Sequence, residues 1–247
     1  MTATTNRVVS VAGQALSRER IVGVAIDLAD AEGLDSVSMR RIAKQLGAGA
    51  MSLYRHVSDK EELLREMIDT LHSRYAYPDP EGMDWRERMR LLARHDWDMY
   101  TAHPWLLTAT ATLAPPVGPH MLASMEWALA ALEPLELTPQ QAGRAIMAVT
   151  HYLQGSARLA LGGEGDLDER NPGNAWRRRL SGDDLSAFPR VAALVNSASG
   201  SATGSEGPPE ARAPGAESSA ATAAGNEDWV MSGLDMVLDG IAAQSGR

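Results

Sequence analysis

Along most of this chain apolar residues recur every three or four positions, the spacing of one helical face, and strict alternation is scarce. The pattern predicts an all-α protein. Ser17 is placed to cap a first helix carrying Ile21, Ala25, Leu28 and Ala29, and Gly33 to end it. Ser38 opens a second helix with Ile42, Ala43 and Leu46 inward, and Gly47 permits a tight turn. A third, short helix is expected from Gly49 to His56. Ser58-Asp59-Lys60-Glu61 reads as a capping box, with Ser58 accepting from the Glu61 amide and Glu61 reaching back. It starts a longer helix with Leu64, Met67, Ile68 and Leu71 on one stripe, which stops before Tyr77-Pro78-Asp79-Pro80. Two short helices around a glycine turn, then a longer one, make a helix-turn-helix.

Past the proline joint the helical spacing resumes. One helix runs from Asp84 through Trp85, Met89, Leu92 and Met99 to His103-Pro104, and a short one follows to Leu113. After Pro115-Pro116 another carries Met121, Met125, Trp127, Leu129 and Leu132. Thr138-Pro139-Gln140-Gln141 is a strong start, a capping Thr with Pro at the first helical position and Gln at the third. The helix it opens carries Ala142, Ile146, Val149, Leu153, Ala157 and Ala160 and stops near Gly162-Gly163. The stretches Trp176 to Leu180 and Phe188 to Val195 are compatible with helix. Residues 197–225 hold no Leu, Ile, Val, Met or aromatic side chain, so they are expected to form a disordered linker. Asn226 to Ala243 turns apolar again, with Trp229, Val230, Leu234, Met236, Val237 and Ile241, and an apolar helix after a tether must dock. The predicted organisation is a flexible arm at 1–16, a helix-turn-helix domain at 17–77 and a helical domain at 78–247.

Composition narrows what these helices do. A chain of 247 residues builds one or two domains with a real core. Cysteine is absent, which removes disulfides, thiolate metal sites and thiolate nucleophiles and fits a cytoplasmic protein. No apolar run reaches the roughly 18 residues of a membrane span. The net charge of −9 argues against a protein that coats nucleic acid with its whole surface. Within Ser38 to Lys60, however, five cations (Arg40, Arg41, Lys44, Arg55, Lys60) face one acid, Asp59, a local balance of +4. One basic face on an acidic protein suits a reader of DNA.

At this point the residues carry a family likeness. Ile21 to Leu71 resembles the DNA-binding domain of TetR-family transcriptional regulators, through Ala29-x-x-x-Gly33, Ser38-Met39-Arg40-x-Ile42-Ala43-x-x-Leu46-Gly47 and Ser52-Leu53-Tyr54-x-His56-Val57-x-x-Lys60-x-x-Leu63-Leu64. The second half is similar to the tetracycline-repressor-type ligand domain at Trp85, His103-Pro104, Val149-Thr150-His151-Tyr152 and the helix near Trp229. The resemblance implies a repressor released from a palindromic double-stranded operator by a small-molecule effector. It implies a homodimer built by the helix after Thr138 and the last helix, Trp229 to Ala243. It implies no enzyme activity, cofactor or metal, and the chain shows no Gly-rich phosphate loop or Ser-His-Asp set. The alternatives are a constitutive regulator or activator without effector and, more remote, an enzyme on a helical scaffold.

Recognition helices read bases with their first residues while flanking groups grip phosphate. The helix here offers Gly49, Ala50, Met51, Ser52, Tyr54, Arg55 and His56. By the resemblance, Tyr54 and His56 touch phosphate. Arg55 reads guanine O6 and N7 or grips phosphate. Ser52 and Ser38 donate to phosphate, Ser38 also serving as a cap, and Arg40 reaches a base or phosphate. Lys60, at a helix start, adds its charge to open amides. For the effector the candidates are Trp97, Tyr100, Trp105, Met121, Met125, Trp127, His151 and Gln154, with core packing the rival role for the aromatics and Met, and the dimer interface the rival for His151. His95 and Asp98 share a face but are only two ligands for a metal. Thr110 stands near where the family's founding member places a histidine metal ligand, a departure that points away from tetracycline itself.

Overall fold

A computed structural model describes residues 15–112, 117–161, 179–180, 182–197 and 217–245. Every regular element among them is helical. The helices are α1 (Arg18–Glu32), α2 (Met39–Leu46), α3 (Ala50–Leu53), α4 (Lys60–Arg74), α5 (Trp85–Ala102), α6 (Trp105–Thr112), α7 (Pro119–Ala131), α8 (Pro139–Leu161), α9 (Pro189–Ser197) and α10 (Glu217–Ala242). The chain forms two compact units, Met1–Glu133 and Pro134–Arg247.

Local chemistry sets most helix starts. Ser17 accepts from the Arg20 amide, Ser38 from the Arg41 amide and Thr138 from the Gln141 amide, so each hydroxyl satisfies an otherwise open N–H. Asp84 and Glu87 form a reciprocal capping box at the start of α5. α2 ends at Gly47, whose left-handed backbone (φ 65°, ψ 28°) is open to glycine without a Cβ penalty.

Three elements differ from the sequence pattern. α3 is one turn, Ala50–Leu53, rather than a helix to His56. The amides of both His56 and Val57 close onto the Leu53 carbonyl, tightening the chain into a turn that buries Val57. The box at α4 lies one residue later than expected: Asp59 is the cap and accepts from the Glu62 amide, while the Ser58 amide donates to Glu62. The last helix begins at Glu217, ahead of Asn226, in an Ala-rich stretch of high helix propensity. The arm expected at 1–16 lies outside the described residues up to position 14, as do 198–216 of the expected linker and all of Trp176 to Arg178.

In the first unit α1 packs on α2 and α4, α4 on α7, and α7 on α5. Ile21, Ile26, Ile42, Leu53, Leu63, Met67, Ile68 and Leu71 are fully buried. Each such side chain contributes roughly 1.5–3 kcal/mol by leaving water. In the second unit α8 packs along α10, burying Val149, Leu153 and Ala157 on one and Val230, Leu234, Leu238 and Ile241 on the other. The Tyr152 hydroxyl donates to the Val230 carbonyl at 2.8 Å and fixes their register.

Candidate nucleic-acid interface

The short α3 stands on Leu53, which is completely buried, and turns the rest of its surface outward. Met51 is 79% exposed and Tyr54 46%. Gly49, in extended conformation, precedes the helix, Ala50 and Ser52 are half-buried, Arg55 is exposed and His56 half-buried. Arg55 Nη2 donates weakly to Ser52 Oγ at 3.4 Å. Ser38 accepts the Arg41 amide at 3.3 Å and keeps its own O–H as a donor. Lys60 is the exposed first residue of α4.

The cations of this unit sort into two groups. Arg18 reaches Glu62 and Glu66 at 3.0 and 2.8 Å, Arg41 reaches Glu32 at 2.5 Å, and Arg65 reaches Glu61 at 2.8 Å. Arg40, Lys44, Arg55 and Lys60 are exposed and have no acidic partner among the described residues. They stand on α2, just past α3 and at the start of α4, so the segment around α3 keeps exposed positive charge.

Two carboxylates hold this reading head onto the helices that follow. Asp30, near the end of α1, takes two bonds on one oxygen: Trp105 Nε1 donates at 2.7 Å and His103 Nδ1 lies at 2.7 Å. These donors flank Pro104, the corner between α5 and α6, and Tyr75 at the end of α4 meets His103 edge-on at 5.9 Å. Asp69 on α4 accepts from the amides of His120 and Met121, both at 3.0 Å, and so caps α7 from another helix. Gly118 makes this approach possible, because a Cβ there would overlap the Asp69 carboxyl group.

The proline joint is clamped as well. Tyr77 donates to Asp96 at 3.0 Å, and Trp127 donates through its indole N–H to the Pro78 carbonyl at 3.0 Å. The Tyr77 and Trp127 rings lie 4.6 Å apart, and the Arg88 guanidinium sits 4.9 Å over Trp127. Arg88 also donates to the Trp127 and Ala130 carbonyls at the end of α7. Burial raises the Asp96 carboxyl to about 7, with the Tyr77 hydrogen bond pulling the other way. Burial, then the neighbouring Asp96, pushes the Tyr77 phenol well above its ordinary value. His95 Nδ1 is buried without a partner among the described residues.

The effector candidates therefore scatter. Trp97 and Tyr100 are buried on α5. Trp105 is buried, but its indole N–H is committed to Asp30, and that of Trp127 to Pro78. Met121 is half-buried and Met125 43% exposed on α7. In the second unit Gln154 is half-buried and His151 exposed, on a stripe of α8 with Met147, Gly155 and Leu159. Thr110 donates to the Leu106 carbonyl of its own helix at 2.9 Å. Asp98 is exposed while the adjacent Asp96 is the buried acid, and among the described residues no three His, Asp or Glu side chains converge as a metal site.

Residues 21–67 match the family of bacterial regulatory proteins, tetR family, and residues 77–207 match the tetracyclin repressor-like C-terminal domain. The second match alone covers more than half the chain. The chain belongs to the TetR family. TetR-family relatives include the HTH-type transcriptional repressor DrrR1 of Streptomyces coeruleorubidus, 40% identical over 147 residues, 59% of this chain and 54% of that one. An HTH-type transcriptional regulator of Saccharopolyspora erythraea is 33% identical over 141 residues, 57% of this chain and 59% of that one. The chain thus aligns with little more than half the length of these relatives. Among solved structures, the TetR-family protein ActR of Streptomyces coelicolor without ligand is 25% identical, covers 95% of this chain and 99% of its own, and has a TM-score of 0.73. ActR in complex with actinorhodin is 26% identical, with coverages of 95% and 100% and a TM-score of 0.69.

The family matches part between residues 67 and 77, whereas the compact units part at Glu133/Pro134. The Asp30, Asp69 and Tyr77 bonds account for the difference, since they weld α5–α7 to the reading head. Sequence reasoning missed these acids. Asp96 left one trace, lying four residues from both Leu92 and Tyr100 on a buried stripe.

Proposed function

We propose that the protein is a sequence-specific transcriptional repressor that binds a palindromic operator as a homodimer and is released by a small-molecule effector. One observation carries the reading: Arg40, Lys44, Arg55 and Lys60, exposed and without an acidic partner among the described residues, lie with the exposed α3 inside a segment matching the tetR DNA-binding family. Within it Gly49, Ala50, Met51, Ser52 and Arg55 face bases, and Ser38, Arg40, Tyr54, His56 and Lys60 grip phosphate or adjacent base edges. The kinship to named repressors and to ActR supports the regulatory role, and a cytoplasmic, non-enzymatic protein goes with that reading.

The dimer is assigned to α8 and α10. Met147, Leu159, Trp229 and Met236 are exposed on these helices in the single chain, and small Ala148 and Gly155 allow close approach. This favours the interface role for His151. Trp97, Tyr100, Met121, Met125 and Trp127 of the first unit remain effector candidates in this reading, and Gln154 is a separate candidate on the second, with actinorhodin as the first probe because ActR is seen with it. The functional boundary stays at 77/78, with 78–247 the effector and dimer domain. The effector shifts a two-state equilibrium in the separation of the two α3 helices.

Selection of bound DNA from a random pool tests this. A palindrome is expected, and Arg55→Ala should weaken binding to it by roughly 1–3 kcal/mol at fixed salt. No enrichment sinks the reading. A constitutive regulator is favoured by one fact, that Trp105 and Trp127 already use their N–H groups within the protein. Small molecules that fail to displace the operator across a broad panel support that version.

A further inference from the structure

We propose that Met51 reads the 5-methyl group of a thymine in each half of the operator, within about two base steps of the position that Arg55 meets. This rests on α3 being the recognition helix, and adds what that helix recognises.

Met51 is 79% exposed on the first turn of α3. Single exposed apolar residues are ordinary, so the exposure alone decides nothing. Its surroundings do. Gly49 and Ala50 before it are the smallest side chains available, which lets the backbone approach a partner closely. Exposed Arg40 and Lys44 on α2, Arg55 just past α3 and Lys60 at the start of α4 make no ion pair among the described residues. An apolar protein surface would leave those charges facing nothing. The occupant must be a polyanion that presents one small apolar group between its charges. The major groove of DNA has one such group, the C5 methyl of thymine.

The rest of the turn agrees with this. Leu53 anchors the opposite side in the core, so α3 cannot roll to hide Met51. Arg55 follows four residues later, in the tightened turn beyond α3, roughly 6–8 Å along at the rise of an α or 3-10 turn. Base steps are about 3.4 Å apart along a strand. The two side chains therefore address steps about two apart, one by apolar contact and the other by hydrogen bonds. The thioether chain is unbranched and adaptable, which suits contact with a single methyl group.

The test replaces each thymine of the selected operator by deoxyuridine, which removes only the methyl, at symmetry-related positions in both halves. Affinity is measured by titration at one salt concentration with the full-length protein. One position should show a loss, about fourfold for each half-site from the methyl transferred out of water. Met51→Ala should abolish that loss and weaken binding to the thymine operator by a similar factor. Met51→Leu should keep part of the discrimination. Thermal unfolding of both variants should match the parent, because the side chain packs on little of the protein. If every deoxyuridine is neutral, or if the penalty persists in Met51→Ala, the inference is wrong. A random pool that yields no operator defeats the recognition-helix reading instead, so the two failures are distinguishable.

Discussion

On and beside α3, Arg40, Lys44, Arg55 and Lys60 are exposed and make no ion pair among the described residues; around the proline joint, Tyr77, Arg88, Asp96 and Trp127 are bonded within the protein. The two regions are close in sequence and similar in residue chemistry, yet their polar groups serve opposite ends. Hydrogen bonds and charges satisfied within the fold set geometry, and those left facing water are available to a partner. Changes at the first region should therefore alter binding and leave stability, and changes at the second should do the reverse.

The largest break in that contrast is predicted where the reading face touches the core. Leu53→Ala should cost roughly 2–5 kcal/mol of stability, because it opens a cavity under α3, and chemical denaturation would measure it. An unchanged midpoint would mean that α3 is not anchored as described.

Asp96 comes next. Burial raises its carboxyl from an ordinary 3.8 to about 7 in the fold, so between about pH 4 and pH 7 the folded chain holds a proton that the unfolded chain lacks. Stability from this group is full below about pH 4 and is lost as pH rises through about 7. The span is up to roughly 4 kcal/mol. Asp96→Asn should flatten that slope in urea titrations at pH 5 and pH 8, while keeping an acceptor for Tyr77. Operator affinity at fixed pH should move little.

Asp30→Ala is expected to cost roughly 1–3 kcal/mol, since Trp105 and His103 would lose their acceptor. Asp30→Asn should recover part of this in thermal unfolding. Equal losses for the two would show that the shared oxygen contributes little. The smallest effect is the sharpest test. Arg41 is tied to Glu32 whereas its neighbour Arg40 has no such partner. Arg41→Ala should leave operator affinity nearly unchanged, and Arg40→Ala should lower it and reduce its salt dependence by about one phosphate contact.

How much of this was legible depended on how far a side chain reaches along the chain. The caps at Ser17, Ser38, Asp84 and Thr138 bond to amides three residues on, so local sequence contains the whole interaction. The cap of α4 was displaced because Ser58 with Glu61 and Asp59 with Glu62 offer nearly the same chemistry. Trp105 looked like a pocket aromatic because its partner lies 75 residues earlier. Asp69 left no mark in the sequence because the amides it caps lie 51 and 52 residues later. The helix-turn-helix and its exposed cations were plain in the sequence, since charge clustering and a family pattern are both local. Its mount was not, since each of its bonds joins two segments that no spacing rule connects.

The pairing of Asp69 with Gly118 also bears on how such proteins can be recombined. A reading head cut at the proline joint and grafted onto a relative's second half would carry Asp69 away from the glycine that admits it. The same cut separates Asp30 from His103 and Trp105. A recipient with any larger residue in place of Gly118 would push the acid off α7. A chimera designed at the obvious seam thus inherits two mismatched sockets, whereas one joined after α7 keeps both intact.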